Sequence, residues 1–196
     1  MKFRNLCLAS TLLTGSSMYA SVVTYVVNLD GPSESPANAS PGIGFATITI
    51  DSILNTLRVQ VTFSGLLGTT TASHIHSPTP SPFTGAAGVA TTTPSFAGFP
   101  LNVTSGTFDN TLDLTLASSY NPAFVTANGG TTASAEAALL AGIATGEAYL
   151  NIHTSVVPGG EIRGFLVAVP EPATLGFVGL ALAVLLVFGR RRRLSV

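Results

Sequence analysis

The chain has 196 residues, of which 9% are charged and 46% are hydrophobic, and its formal net charge is −1. A typical soluble domain carries about 25% charged residues, so a coiled coil and a basic nucleic-acid-binding protein are excluded. Residues 21–169 contain two arginines and eight acidic residues, which gives this segment a net charge of −6. An acidic surface repels phosphate backbones, and we therefore expect no nucleic-acid partner.

Residues 1–20 have the order of a secretory signal peptide. Lys2 and Arg4 give a positive start, an apolar run follows at 6–13, and Ala20 offers a small residue for cleavage. The one cysteine of the chain, Cys7, lies inside this segment. The exported chain is then expected to have no disulfide and no cysteine-ligated metal.

The next segments alternate as half-buried strands do. Strands are predicted at 22–29, 43–50 and 57–63, the last two forming a hairpin around a turn at 51–55. In the third strand one face is apolar and the other polar. The apolar positions are Leu57, Val59, Val61 and Phe63.

The middle of the chain mixes short strands with a long loop. We predict a strand at 72–76, a Pro-, Gly- and Thr-rich loop at 77–98, and strands at 99–103 and 112–116, the last with an alternative start at 107–109. An Ala- and Leu-rich segment at 133–144 predicts a helix whose Leu139 and Ile143 face the sheet.

A hairpin of strands at 147–153 and 161–167, turning at Pro158-Gly159-Gly160, completes the domain. Strands that recur at short spacing favour an all-β architecture. The predicted fold class is mainly β: a β-sandwich with one short surface helix, spanning residues 21–169.

The C-terminus predicts a membrane anchor. Residues 173–188 carry no charge and are followed by an arginine cluster at 190–193, made of Arg190, Arg191, Arg192 and Arg193. The positive-inside rule places these arginines in the cytoplasm and the domain outside, with 173–188 as a transmembrane helix. Pro170 and Pro172 end the last strand.

Two resemblances to known families follow from these segments. Val169-Pro170-Glu171-Pro172, then the apolar run, then the arginine cluster resemble the PEP-CTERM sorting tail of bacterial envelope proteins, over residues 170–196. That resemblance implies processing by an exosortase in the inner membrane. It implies secretion with transient membrane anchoring, and a final location in the cell envelope or outside the cell.

The second resemblance is to the CHRD domain. It rests on ASHIH at 72–76 and on YLNIHT at 149–154 with PGGEIRG at 158–164, and it covers roughly residues 23–167. The sequence departs from the family pattern after His76, where prolines and serines replace a glycine-rich continuation. The resemblance implies an immunoglobulin-like β fold without a settled biochemical role, and it singles out Asn151, Glu161 and Arg163 as motif residues.

All three histidines of the chain lie in these two segments. His74 and His76 are two apart on a strand, so both project to one face, and His153 ends another strand. Should the strands be neighbours, three imidazoles converge into a candidate copper or zinc site. The alternative is structural: the histidines hydrogen-bond to backbone or to a carboxylate. A contact of His153 with Glu161, which Arg163 can join, would then pin the hairpin.

The sequence shows no catalytic set, because neither a Gly-x-Ser-x-Gly elbow nor a phosphate-binding glycine loop is present. The leading hypothesis is therefore a non-enzymatic, exported binding, adhesion or matrix module without a cofactor. Its ligand would be a surface polysaccharide or a protein. The alternative hypothesis is a copper- or zinc-binding or redox protein that uses His74, His76 and His153.

Overall fold

A computed structural model describes residues 22–170, so the predicted signal peptide, transmembrane helix and arginine cluster lie outside the described residues. The described chain forms eight strands, two α-helices and a 3₁₀ turn. They are β1 (Val22–Asp30), β2 (Ile43–Asp51), β3 (Thr56–Ser64), β4 (Thr70–His76), β5 (Gly106–Asp113), the 3₁₀ turn (Ala117–Ser119), α1 (Pro122–Ala127), α2 (Thr132–Ala144), β6 (Tyr149–Thr154), β7 (Ile162–Phe165) and β8 (Val167–Ala168). Between residues 22 and 170 no helix is long and apolar enough to cross a membrane.

The strands form one curled antiparallel sheet in the order β4-β6-β7-β1-β2-β3-β5, with β8 on β1. The mainly β class is confirmed, but the sheet differs from the predicted two-sheet sandwich because β1 joins both halves. One edge of β1 pairs with β2 over its full length. The other edge pairs with β8 at Tyr25 and Val26 and with β7 through Asp30 and Arg163.

The apolar alternation of the sequence correctly identifies the core. Leu57, Val59, Val61 and Phe63 of β3 are all buried, whereas Arg58 on the opposite face is exposed. Helix α2 begins with a capping box between Thr131 and Ser134, and it buries one face in the same core. The residues of that face are Ala135, Leu139 and Ile143.

Three details of the prediction are wrong. Residues 99–103 are not a strand, because Asn102 has a φ of 61° and Phe99 closes a turn on the carbonyl of Phe96. The strand predicted at 112–116 lies earlier, as β5, because the Asp113 side chain accepts the Thr115 N–H and turns the chain. Helix α1 was not predicted at all.

The β4-β6-β7 part of the sheet is buried on both faces. Its core face carries Ile75, Leu150 and Ile152, each fully buried. The opposite face carries polar and aromatic side chains, which loops of the chain cover, so that most of them are also buried. They are His74, His76, Tyr149, Asn151, His153 and Arg163.

Candidate metal centre

Strand pairing brings the three histidines together. β4 and β6 are neighbours, with His74 opposite Asn151, His76 opposite Tyr149 and His153 opposite Ala72. Side chains of directly paired residues share a face, so the three imidazoles lie side by side. One nitrogen from each ring falls within 4.8 Å of the other two. The predicted convergence of these histidines is present in the structure.

Backbone carbonyls fix the orientation of all three rings. The Nδ1 atoms of His74, His76 and His153 lie 3.1, 2.8 and 2.8 Å from the carbonyl oxygens of Pro94, Ala87 and Pro158. A carbonyl only accepts, so each Nδ1 carries the proton and donates it. Each neutral ring therefore presents an unprotonated Nε2 with its lone pair.

The Nε2 atoms face one another. Those of His74 and His153 are 2.9 Å apart, and that of His76 is buried without a hydrogen-bond partner among the described residues. Two lone pairs at that distance repel unless a proton or a cation lies between them. The cluster thus has three acceptors and no donor of its own.

Burial keeps these rings neutral. It lowers the pKa of His74 to about 3, with further lowering from His153 and His76. It lowers the pKa of His76 to about 4, and the pKa of His153 shifts in the same direction. Near neutral pH the rings are therefore not protonated, and protonation does not relieve the repulsion between the Nε2 lone pairs. Unprotonated imidazole is also the form that ligates metal.

Aromatic and charged side chains support the centre from β6 and β7. The ring of Tyr149 stacks on His76, with centroids 4.7 Å apart and planes 6° from parallel. The guanidinium of Arg163 lies 4.6 Å from the Tyr149 ring centroid, a cation–π contact. Arg163 also donates to the carbonyls of Ser33 and Gly85, which ties two loops to this face.

Glu34 is the acid nearest to Arg163. The two side chains are buried, and Glu34 Oε2 lies 3.8 Å from Arg163 Nε. Burial nevertheless raises the pKa of Glu34 to about 7, against the opposing effect of Arg163. Glu34 Oε1 and Asn151 Oδ1 are buried without a partner in the described chain, and both lie 2.7 Å from the point where a Cβ on Gly160 would stand.

The backbone hydrogen bonds of the structural alternative are present at all three histidines, whereas the predicted partner Glu161 bonds to other residues. Its buried carboxylate accepts four hydrogen bonds, at 2.6 Å from Ser40 Oγ and Thr154 Oγ1 and also from the N–H groups of Leu67 and Gly68. Burial raises its pKa, but these donors outweigh that effect and hold the pKa below its ordinary value. Glu161 fastens the loop at Ser40 and the loop at Leu67 and Gly68 to the end of β6, and it belongs to the scaffold.

Sequence reasoning identified the ligand-type side chains and missed what surrounds them. The carbonyl acceptors at Ala87, Pro94 and Pro158 have no sequence signal, because any residue offers a carbonyl. Glu34 is far from Arg163 in the chain, and nothing local links them. Tyr149 was placed on the histidine face by alternation, which the structure confirms, but its stacking on His76 requires the pairing register.

The fold and site define a mainly β domain whose polar face is buried around three histidines. Comparison with known families finds the CHRD domain at residues 25–166 and a PEP-CTERM protein-sorting motif at residues 168–193. The chain belongs to the CHRD domain family. The sorting motif supports export, processing by an exosortase and membrane anchoring at the C-terminus. Searches of curated proteins and of solved structures found no match.

Proposed function

We propose that this exported domain is a non-enzymatic metal-binding module that holds one copper or zinc ion through His74, His76 and His153. One observation carries the proposal: all three Nδ1 atoms donate to backbone carbonyls, which leaves three Nε2 lone pairs aimed at one another. Metal-ligating histidines typically donate their other ring N–H in this way.

The spacing supports a metal in preference to a hydrogen-bond network. With metal–nitrogen bonds of about 2.0 Å, tetrahedral ligands lie about 3.3 Å apart. The 2.9 Å separation of two Nε2 atoms and the 4.8 Å upper limit for the set bracket that value. Small side-chain rotations suffice to seat an ion.

The donor set favours copper or zinc over magnesium or calcium. Imidazole nitrogen is a ligand for zinc and copper, whereas magnesium and calcium require oxygen. The Glu161 carboxylate is engaged by its four donors, and the Glu34 carboxylate faces Arg163 through Oε2. Three neutral ligands leave a further coordination position for water or a small exogenous ligand.

The non-enzymatic part of the proposal rests on the composition of the polar face. Its described members are three imidazoles, Tyr149, Asn151 and the Arg163–Glu34 pair, without an activated hydroxyl or thiol nucleophile among them. Residues 168–193 carry the sorting motif, which directs the domain outward. Metal capture or retention at the envelope fits both features.

The test is metal binding by the full-length chain in detergent. We expect about one copper or zinc ion per chain, because the three rings make one mononuclear site. The His74→Ala/His76→Ala double variant removes two of the three proposed ligands, and His153→Ala removes one. Each should lower the metal affinity at least about 100-fold. Metal content and thermal melts before and after chelation measure both effects.

Asp109→Asn is the matched control, because it removes an exposed ligand-type side chain outside the centre. It should bind metal as the native chain does. A native chain that takes up no copper or zinc after refolding with excess metal, and whose melt ignores chelators, contradicts the proposal. The search would then turn to polysaccharide or protein ligands of the envelope.

A further inference from the structure

One end of the sheet has an exposed apolar rim. Ile53 and Leu54 at the tip of the β2–β3 hairpin are 74% and 68% exposed, and Leu116 after β5 is 52% exposed. Val22 and Val169 are also exposed. We call these five residues the apolar rim.

Strand pairing places the rim residues at the same end. Val22 pairs with Asp51 at the base of the hairpin, and the N–H of Val169 donates to Thr24 on β1. Leu114 donates to Asn55, which brings the segment before Leu116 against the hairpin. The Asp51 carboxylate accepts the N–H groups of Ile53 and Leu54, so the turn itself is ordered.

The sorting tail leaves the domain at this same end. Three residues separate Val169 from the uncharged run that starts at residue 173. Four peptide steps span at most about 14 Å. The headgroup layer on each side of a bilayer is about 5–8 Å thick, so an anchored tail keeps Val169 at the membrane surface.

We propose that, while the tail is intact, the apolar rim lies in the headgroup layer and holds the domain end-on to the bilayer. The occupant is a lipid surface, because the anchoring segment begins within reach of the rim. Asp51 and Asp113 at the same end give no attraction to anionic lipid, so apolar contact supplies the binding. The histidine cluster is not part of the rim: His153 lies at the end of β6 next to the Pro158 turn, away from the Val22 end of the sheet.

The chain contains no tryptophan, so one introduced indole reports its own surroundings. The test compares Leu54→Trp with Phe45→Trp, a half-exposed aromatic site about 20 Å along β2 from the hairpin. The full-length protein is reconstituted into phosphatidylcholine vesicles with brominated acyl chains. Aqueous acrylamide then reports the exposure of each indole to water.

For Leu54→Trp we expect bromolipid quenching and about twofold lower acrylamide quenching than for Phe45→Trp, because only the rim meets lipid. Equal acrylamide access at the two sites overturns the proposal. Bromolipid quenching at both sites also overturns it, since the domain would then lie flat. Ile53→Trp repeats the measurement should Leu54→Trp alter the far-ultraviolet circular dichroism.

Discussion

Glu161 and the histidine cluster are two buried polar groups of the same domain, and they use their hydrogen-bonding capacity in opposite ways. The carboxylate of Glu161 meets four donors from three separate segments. The imidazoles satisfy only their Nδ1 atoms and turn their Nε2 atoms toward each other. Complete satisfaction stabilises a fold, whereas buried acceptors without a donor are costly, and this unmet capacity is the basis of the proposed metal site.

Removal of the Glu161 carboxylate should have the largest effect on the free energy of unfolding. Glu161→Ala leaves Ser40, Thr154 and two backbone N–H groups without their acceptor, and we expect a loss of about 4 kcal/mol in the free energy of unfolding. Urea denaturation of the metal-free protein measures this loss. Asp109→Ala, which breaks an exposed ion pair with Arg58 and an exposed hydrogen bond from Gln60, is the control and should leave stability nearly unchanged. Equal losses for the two variants would contradict the scaffold role of Glu161.

The histidine cluster should instead make the free energy of unfolding depend on pH. The pKa is about 3 for His74 and about 4 for His76 in the folded chain, well below the ordinary value of 6.5. As pH falls from about 6.5 toward 4, the unfolded chain binds protons that the folded chain does not, so stability is lost on acidification. Glu34, with its pKa raised to about 7, opposes this trend because the folded chain binds its proton more readily.

Two histidines outweigh one carboxyl group, so the net loss should be about 1 kcal/mol per pH unit between pH 6 and 4.5. Urea denaturation in the presence of a chelator, repeated across this range, measures the slope. Stability that rises on acidification would show that the rings are protonated in the folded protein.

A change in the slope itself is expected from Glu34→Gln. This change removes the opposing titration and keeps a side chain of the same size beside Arg163. The acid-side slope should steepen by about 1 kcal/mol per pH unit, because glutamine resembles the protonated acid: stability near pH 4.5 changes little, and stability near pH 7 rises. The same denaturation series measures it, and an unchanged slope would contradict the raised pKa of Glu34.

Sequence patterns within a few residues predicted the strands and the helix whose formation depends on neighbouring residues in the chain. Alternation identified β2 and β3, and composition identified α2. The single curled sheet was not predicted, because the pairing of β1 with β7 and β8 joins residues more than 130 positions apart. Strand β5 follows the alternative start at 107–109 and ends before 114–116, and its centre was not favoured because Asp-Asn-Thr is a weak strand-forming sequence that pairing with β3 stabilises.

The candidate site divides in the same way. Strand alternation put His74 and His76 on one face, and the CHRD resemblance marked the segment that contains His153. The orientation of the rings depends on loop carbonyls, and the charge environment depends on Glu34, both set by tertiary contacts. The domain limits at 21–169 and 170–196 stay predictions.

The convergence of the three histidines depends on the exact register of β4 against β6. His74 and His153 alternate with Ile75 and Ile152, so a slip of one residue would exchange the imidazoles for aliphatic side chains. An ion that requires three nitrogens would then be held only by correctly paired chains. Metal affinity would therefore also report whether β4 and β6 are paired in this register.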